Sequence, residues 1–388
     1  MAVMTYKTDA MKPASPARRR HGTRRVRRGR LTTVAAAAAI VLSGCASPDF
    51  TLVASGADTS NKALVMFMPS TANVYLAAAA DAARSEASED GYTLTVIENN
   101  FDQVEQDQQV QQYLASGGKP AAFLWWPATS AAGVNSNRQL AQVAPVIQWN
   151  QTVVPSAEPF IKAYAGVSDT GIGKVAGEQA LLARDAAVAA GMQLHSPDGN
   201  MLEFGFAAGY QASVDRHAAF TAATAGAPFN LLHNEPAGFD AQAGFRAASQ
   251  IIPKYLANGI DFVYCESNDL CVGVLPALEQ NGLTPGKDVY VVAGTFSGDK
   301  QPLRDKLFFS TVLQSPVIEG QLVVRTAIQY LRTGEVKPGI FEVPPDPTDP
   351  GLSDDPPYQA TYMPNPAITP ETIDTLRIWG LDVDQLQP

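Results

Sequence analysis

The sequence predicts an α/β protein of doubly wound parallel sheets, and three observations predict it. Apolar runs of strand length recur from Ala63 onward, and their near-continuous hydrophobicity suits parallel strands covered on both faces. Helix-length segments separate them, the alternation that right-handed crossovers require. The chain has 388 residues, and a prior of about 150 residues per domain reads its folded part as two domains.

Taken in order, the strand candidates are 63–68 (ALVMFM), 93–97 (TLTVI), 121–126 (AAFLWW), 145–149 (PVIQW), 201–206 (MLEFGF), 230–234 (NLLHN), 261–265 (DFVYC) and 289–294 (VYVVAG). After the first, Leu76, Ala79, Ala80, Ala83 and Ala87 fall at helical spacing and Gly91 ends the run, where a left-handed cap belongs. Segment 101–116 places Val104, Val110, Tyr113 and Leu114 roughly on one face, and 169–191 opens on Asp169, read as a helix cap, and stops at Gly191. Ligands of such sheets sit beyond the carboxyl ends of the strands.

Residues 1–30 hold ten Lys or Arg and a single acid, Asp9, and the apolar run 31–42 (LTTVAAAAAIVL) follows. That run is far short of the ~20 residues a membrane-spanning helix needs. A basic region, a short apolar region and small residues form a secretory signal over 1–44. The LSGC at 42–45 resembles the bacterial lipobox, which implies lipid on Cys45 and an extracytoplasmic, membrane-anchored protein, with 45–61 as a small-residue tether. An ordinary export signal with a chance cysteine is the plainer alternative. Past residue 44 the chain carries 18 Lys and Arg against 37 Asp and Glu, a net charge of −19 where the whole sequence has −10. Counterion release needs clustered basic residues, so nucleic acid is not an expected partner.

Enzyme signatures are missing from the sequence: there is no Gly-x-Ser-x-Gly elbow and no Walker loop. GIGKVAG at 171–177 lacks the dinucleotide spacing. His195, His217 and His233 are scattered, and a zinc reading of Cys265 and Cys271 lacks two further ligands. The expectation is a binding protein with no catalytic residue, metal or cofactor.

Several blocks together resemble the type I periplasmic binding proteins, in the ribose and sugar-binding branch that feeds ABC importers. They are NVYLAAAADAARSEASEDGY after the first strand, FLWWPATS, APVIQWN at 144–150, GVSDTGIGKVAGEQ at 166–179, PAGFDAQAGF at 236–245, ESNDLCVGVLPALEQNG at 266–282, VYVVAGTF, and STVLQSPVIEGQLV at 310–323. The LacI-type repressors share this domain but carry a DNA-binding helix-turn-helix where this chain has an export signal. The resemblance implies two Rossmann-like lobes joined by three crossings, near Val167, Gln314 and Ile340. The amino lobe would comprise 62–167 plus 315–340. The carboxyl lobe would comprise 168–314 plus 341–388, with ligand held between the lobes and favouring their closure.

Carried over residue by residue, the resemblance implies ligand contacts at Asn73 and Tyr75, at Asn268 and Asp269 with a one-residue slip that would involve Ser267, and at Gln314. Charged family positions fall instead on Asn150, Gln151, Val214 and Thr295, which predicts a site with little charge. Trp125, Trp126 and Trp149 sit at strand ends, and an indole both stacks on a sugar's C–H face and donates an N–H. Trp126, Trp149, Asn150 and Tyr210 therefore join the ligand set and Phe206 is a further aromatic candidate; packing at the lobe interface is the plain alternative for the tryptophans, and helix-to-sheet packing for Phe206 and Tyr210. The expected function is delivery of a small neutral, sugar-like solute to an ABC permease by a lipid-anchored monomer. A lipid-anchored sensor of the same fold, presenting its ligand state to a signalling receptor, is the alternative.

Outside the cytoplasm thiols oxidise, and with Cys45 taken by lipid a Cys265–Cys271 disulfide is expected. Two buried free cysteines are the alternative. The Pro- and Asp-dense tail 341–371 excludes regular structure throughout, and a short helix is expected at 370–380.

Overall fold

The computed structural model describes residues 60–296, 298–336, 352–353, 359–378 and 381–387. The expected signal, Cys45, nearly all of the tether and the crossing near Ile340 lie outside the described residues. The first sheet is built from β1 (Ala63–Pro69), β2 (Thr93–Asn99), β3 (Ala122–Trp125), β4 (Val146–Trp149) and β5 (Ala163–Gly166), wound with α1 (Val74–Glu89), α2 (Gln103–Ala115) and α3 (Val134–Ala141). The second alternates α4 (Asp169–Ala189), β6 (Asn200–Gly205), α5 (Gln211–Thr224), β7 (Asn230–Pro236), α6 (Ala241–Tyr255), β8 (Phe262–Cys265), α7 (Asn268–Gln280) and β9 (Tyr290–Ala293), then α8 (Gln301–Arg304) and β10 (Thr311–Val312). The chain returns through α9 (Pro316–Thr333), β11 (Leu352–Ser353) and β12 (Gln359–Tyr362). It ends with β13 (Ala367–Ile368), β14 (Arg377–Ile378), β15 (Leu381–Asp382) and α10 (Val383–Leu386).

Strand order is β11-β12-β5-β4-β3-β1-β2 in one sheet and β7-β6-β8-β9 in the other. All pairs are parallel except β11–β12, and β10 extends the second sheet through a parallel bridge from Ser310 to Val292. This is the two-lobed α/β architecture that the sequence predicts. Each of the eight strand candidates forms: the inner apolar runs have no polar face to turn to water, while β2 and β7, at the sheet edges, mix exposed and part-buried residues. In β1, Leu64 through Pro69 contains no exposed residue.

The helices dock by small residues. The alanine face of α1 is buried, and α9 crosses it so closely that a Cβ on Gly320 would lie 2.1 Å from the Ala79 carbonyl oxygen. The α4 start differs from the sequence reading: Ser168 is the cap, its Oγ accepting from the Gly171 N–H, and Asp169 lies in the first turn. Ser168 satisfies an orphan N–H there, which frees the Asp169 carboxylate for another partner.

The tail also departs from expectation, because it does not belong wholly to the carboxyl lobe. β12 adds in parallel to β5 and so completes the amino-lobe sheet, supplying the partner that an otherwise open strand edge requires. Two residues of β13 then pair antiparallel with β10. The chain therefore crosses at 363–366, beside the other two crossings: the Met363 N–H donates to the Gly166 carbonyl and the Leu313 N–H to the Pro366 carbonyl. No helix forms over the described residues 370–378. Turns run through Thr375, and the β14–β15 hairpin follows.

Candidate functional site

The carboxyl ends of β4 and β5, the start of α1 and the start of α9 bring polar side chains together in the amino lobe. Asn150, directly after β4, adopts a left-handed backbone (φ 61°), a conformation that Asn tolerates better than most residues. The Asn150 Nδ2 donates to both oxygens of Glu319, at 3.0 and 3.1 Å, and the Tyr75 hydroxyl donates to Glu319 Oε2 at 2.5 Å. The Gln314 Nε2 donates to the Tyr75 oxygen at 3.0 Å. Gln151 reaches across to the carboxyl lobe, donating to the Tyr210 hydroxyl at 2.6 Å, and the Trp126 side chain approaches the same hydroxyl.

Of the residues expected from sequence, Tyr75, Trp126, Asn150, Tyr210 and Gln314 thus belong to one connected set, and Trp149 joins it by an edge-to-face contact with Trp126 (centroids 4.8 Å apart). Trp125 faces the other side of the sheet, wholly buried against Phe67, because successive strand residues point to opposite faces. Asn73 uses its side-chain oxygen to cap α1. Asn268 and Asp269 open α7 behind the Ser267 cap, and the Asn268 N–H donates to the Thr295 carbonyl at 2.7 Å.

The expectation of a site with little charge is corrected. Arg216 is buried and pairs with Asp169 at 2.7 Å, donates to the Glu266 carbonyl at 2.7 Å and to Gln314 Oε1 at 3.2 Å. Val214, two residues earlier on α5, is 53% exposed. Glu319 is fully buried, and Glu266, also buried, accepts from the Phe206 N–H at 2.8 Å and Ser213 Oγ at 2.6 Å. Burial lifts both glutamates to about 7, with their hydrogen-bond donors opposing the shift. Sequence reasoning misses these four charged residues because none forms a local motif. They lie far apart in the chain: Asp169, Arg216 and Glu266 meet through packing within the carboxyl lobe, and Glu319 joins them across the crossings.

Aromatic rings close the mouth. Phe101, at φ 57° after β2, stacks on Phe239 of the carboxyl lobe at 5.3 Å, Phe239 stacks on Phe206 at 5.4 Å, and Arg216 lies 5.0 Å above the Phe206 ring. Phe206 and Phe239 fall within blocks already singled out in the sequence; Phe101 carries no signal beyond its place at a strand end. Behind them Cys265 and Cys271 are joined by a disulfide, Cα atoms 5.5 Å apart, which ties the end of β8 to the first turn of α7. Among the described residues, no group of three His, Cys, Asp or Glu side chains is placed to hold a metal ion.

Two parallel-sheet lobes with a polar and aromatic cleft at their facing carboxyl ends define the type I periplasmic binding protein fold. The periplasmic binding protein domain family matches residues 64–335, and the chain belongs to that family. It is 26% identical over 268 residues to the ribose import binding protein RbsB of Escherichia coli (strain K12), covering 68% of this chain and 83% of that protein. In structure it is similar to a carbohydrate transporter solute-binding protein from Agrobacterium radiobacter in complex with D-arabinose (TM-score 0.65, 18% identity, 82% of this chain and 97% of the other). A similar likeness holds for an ABC transporter solute-binding protein from Bacillus halodurans with bound myo-inositol (TM-score 0.64, 18% identity, 80% and 96%).

Proposed function

We propose that this protein is an extracytoplasmic solute-binding lipoprotein of an ABC importer, anchored through Cys45 and taking a small neutral sugar or polyol by lobe closure. The observation that carries the reading is the cleft itself, where polar side chains from both lobes converge under stacked rings. Within that region Asp169 Oδ2 and the Trp149 indole N–H are buried without a hydrogen-bond partner among the described residues. A buried polar atom left unpaired is costly, and a hydroxylated guest supplies the missing partner. The region holds three buried carboxyl groups and one guanidinium, which is already paired with Asp169, and this balance disfavours an anionic solute. Tyr75, Trp126, Trp149, Asn150, Tyr210 and Gln314 would line the guest, with Asn73, Asn268 and Asp269 at its margin. The names of the relatives, which concern ribose, arabinose and inositol, point the same way.

The test is a thermal-shift and calorimetric screen of D-ribose, L-arabinose, D-galactose and myo-inositol against an acidic comparator, D-gluconate. A neutral sugar at 100 times its dissociation constant is expected to add about 2.7 kcal/mol of stability. Binding of D-gluconate alone, or of none of the five, refutes the reading. Loss of palmitate labelling in cells on Cys45→Ala checks the anchor.

A further inference from the structure

Glu319 occupies a place where a carboxyl group is costly, and the fold around it is shaped to receive it. Its side chain is fully buried at the first turn of α9. Gly166 has φ 138°, and a Cβ there would come within 2.7 Å of Glu319 Oε1 and 3.0 Å of the Asn150 N. Asn150 is itself left-handed and turns its amide onto the carboxyl group. Three elements therefore converge on one buried acid that, among the described residues, contacts no basic side chain: Tyr75 from α1, Asn150 after β4, and the backbone of Val167 after β5.

An ionised carboxylate only accepts hydrogen bonds. It therefore fixes the Tyr75 proton toward itself and the Asn150 –NH2 toward itself, which turns the Asn150 Oδ1 away from it, where that oxygen accepts a long bond from Gln151 Nε2 (3.4 Å) and keeps a second lone pair. We propose that Glu319 is a positioning residue that sets the hydrogen-bond polarity of the amino-lobe wall, so that Asn150 presents its oxygen as an acceptor for a hydroxyl hydrogen of a neutral polyol. This rests on the sugar-binding reading given above. A protonated acid donates as well as accepts, so the Asn150 amide loses its fixed orientation when Glu319 takes up a proton, and affinity becomes pH-dependent. Burial places that proton uptake at about 7. The groups facing Glu319 are Tyr75, which stays protonated because burial and Glu319 raise its pKa well above the ordinary value, Asp169 on α4, whose charge favours the protonated acid, and Arg216 on α5, which acts on Tyr75.

Calorimetry with D-ribose, L-arabinose, D-galactose and myo-inositol between pH 5.5 and 8.5 tests it on the full mature protein. Affinity for the best binder is expected to tighten about tenfold with rising pH, roughly the worth of one hydrogen bond between neutral groups. Glu319→Gln is expected to hold the low-pH affinity at every pH. Tyr75→Phe removes one donor from the carboxylate and is expected to move the midpoint to higher pH. A rise that persists in Glu319→Gln, or a midpoint unmoved by Tyr75→Phe where Glu319→Gln does not fold, overturns the proposal. Failure of all four sugars to bind the wild type overturns the sugar reading as well, whereas binding without pH dependence overturns only the role of Glu319.

Discussion

Gly166 shows how much of the site depends on one missing side chain. At φ 138° any Cβ is strained, and here it would also meet Glu319 and the Asn150 backbone. Gly166→Ala is therefore expected to destabilise the protein by about 1–3 kcal/mol, read as a lower urea midpoint with an unchanged slope. An unchanged midpoint would mean that the β5 end relaxes freely. That Gly166 is a glycine is visible in the sequence; why it must be one is not, because its neighbour Glu319 is 153 positions away. Asp169 teaches the same lesson from the opposite side. Next to Ser168 it has the look of a cap, and only its 2.7 Å approach to Arg216 shows that it is half of a buried ion pair.

Among the elements, the β8–α7 junction and the tail behave differently. The Cys265–Cys271 bridge closes a very short loop, so the chain-entropy contribution is modest. The double variant Cys265→Ala with Cys271→Ala is expected to lose about 2 kcal/mol, measured by urea denaturation beside the reduced wild type. No loss in either would show that the junction is held by packing alone. This pairing was legible because export limits the choices for three cysteines. The tail was not legible: Pro and Asp density rules out long elements but does not say which edge a four-residue strand will join. β12 joins β5, and the last residues return to the crossing, where the Ser315 hydroxyl donates to the Leu386 carbonyl and the Gln387 Nε2 donates to the Gln314 carbonyl at 3.0 Å.

For the molecule as a whole, two buried glutamates link stability to pH. Their folded pKa values, about 7, lie above the ordinary 4.5. Between those values the folded state holds protons that the unfolded state has released, so their contribution is complete below about 4.5 and is lost as pH rises through 7. The melting temperature is expected to fall over that window, and less steeply in Glu266→Gln and Glu319→Gln. A wild-type profile that stays flat or rises, with the variants unchanged from it, contradicts the assignment. Glu319 lies beside the crossings that join the lobes, against Gly166 and the Val167 backbone, so its proton uptake is linked to cleft polarity and lobe packing.

The sequence alone determined the strand–helix alternation, the parallel sheets, the two lobes and the disulfide partners. The alternation and the parallel sheets follow from short-range pattern, apolar runs of strand length and helical spacing of alanines; the two lobes follow from chain length and the family resemblance, and the disulfide from a small number of cysteines in an expected oxidising compartment. Only the tertiary structure decided the chemistry of the cleft. Asp169, Arg216, Glu266 and Glu319 are separated by 47 to 150 positions; the first three become neighbours through packing within the carboxyl lobe, and the crossings bring Glu319 to them. Their charge, protonation and hydrogen-bond direction depend on burial, which no local pattern encodes.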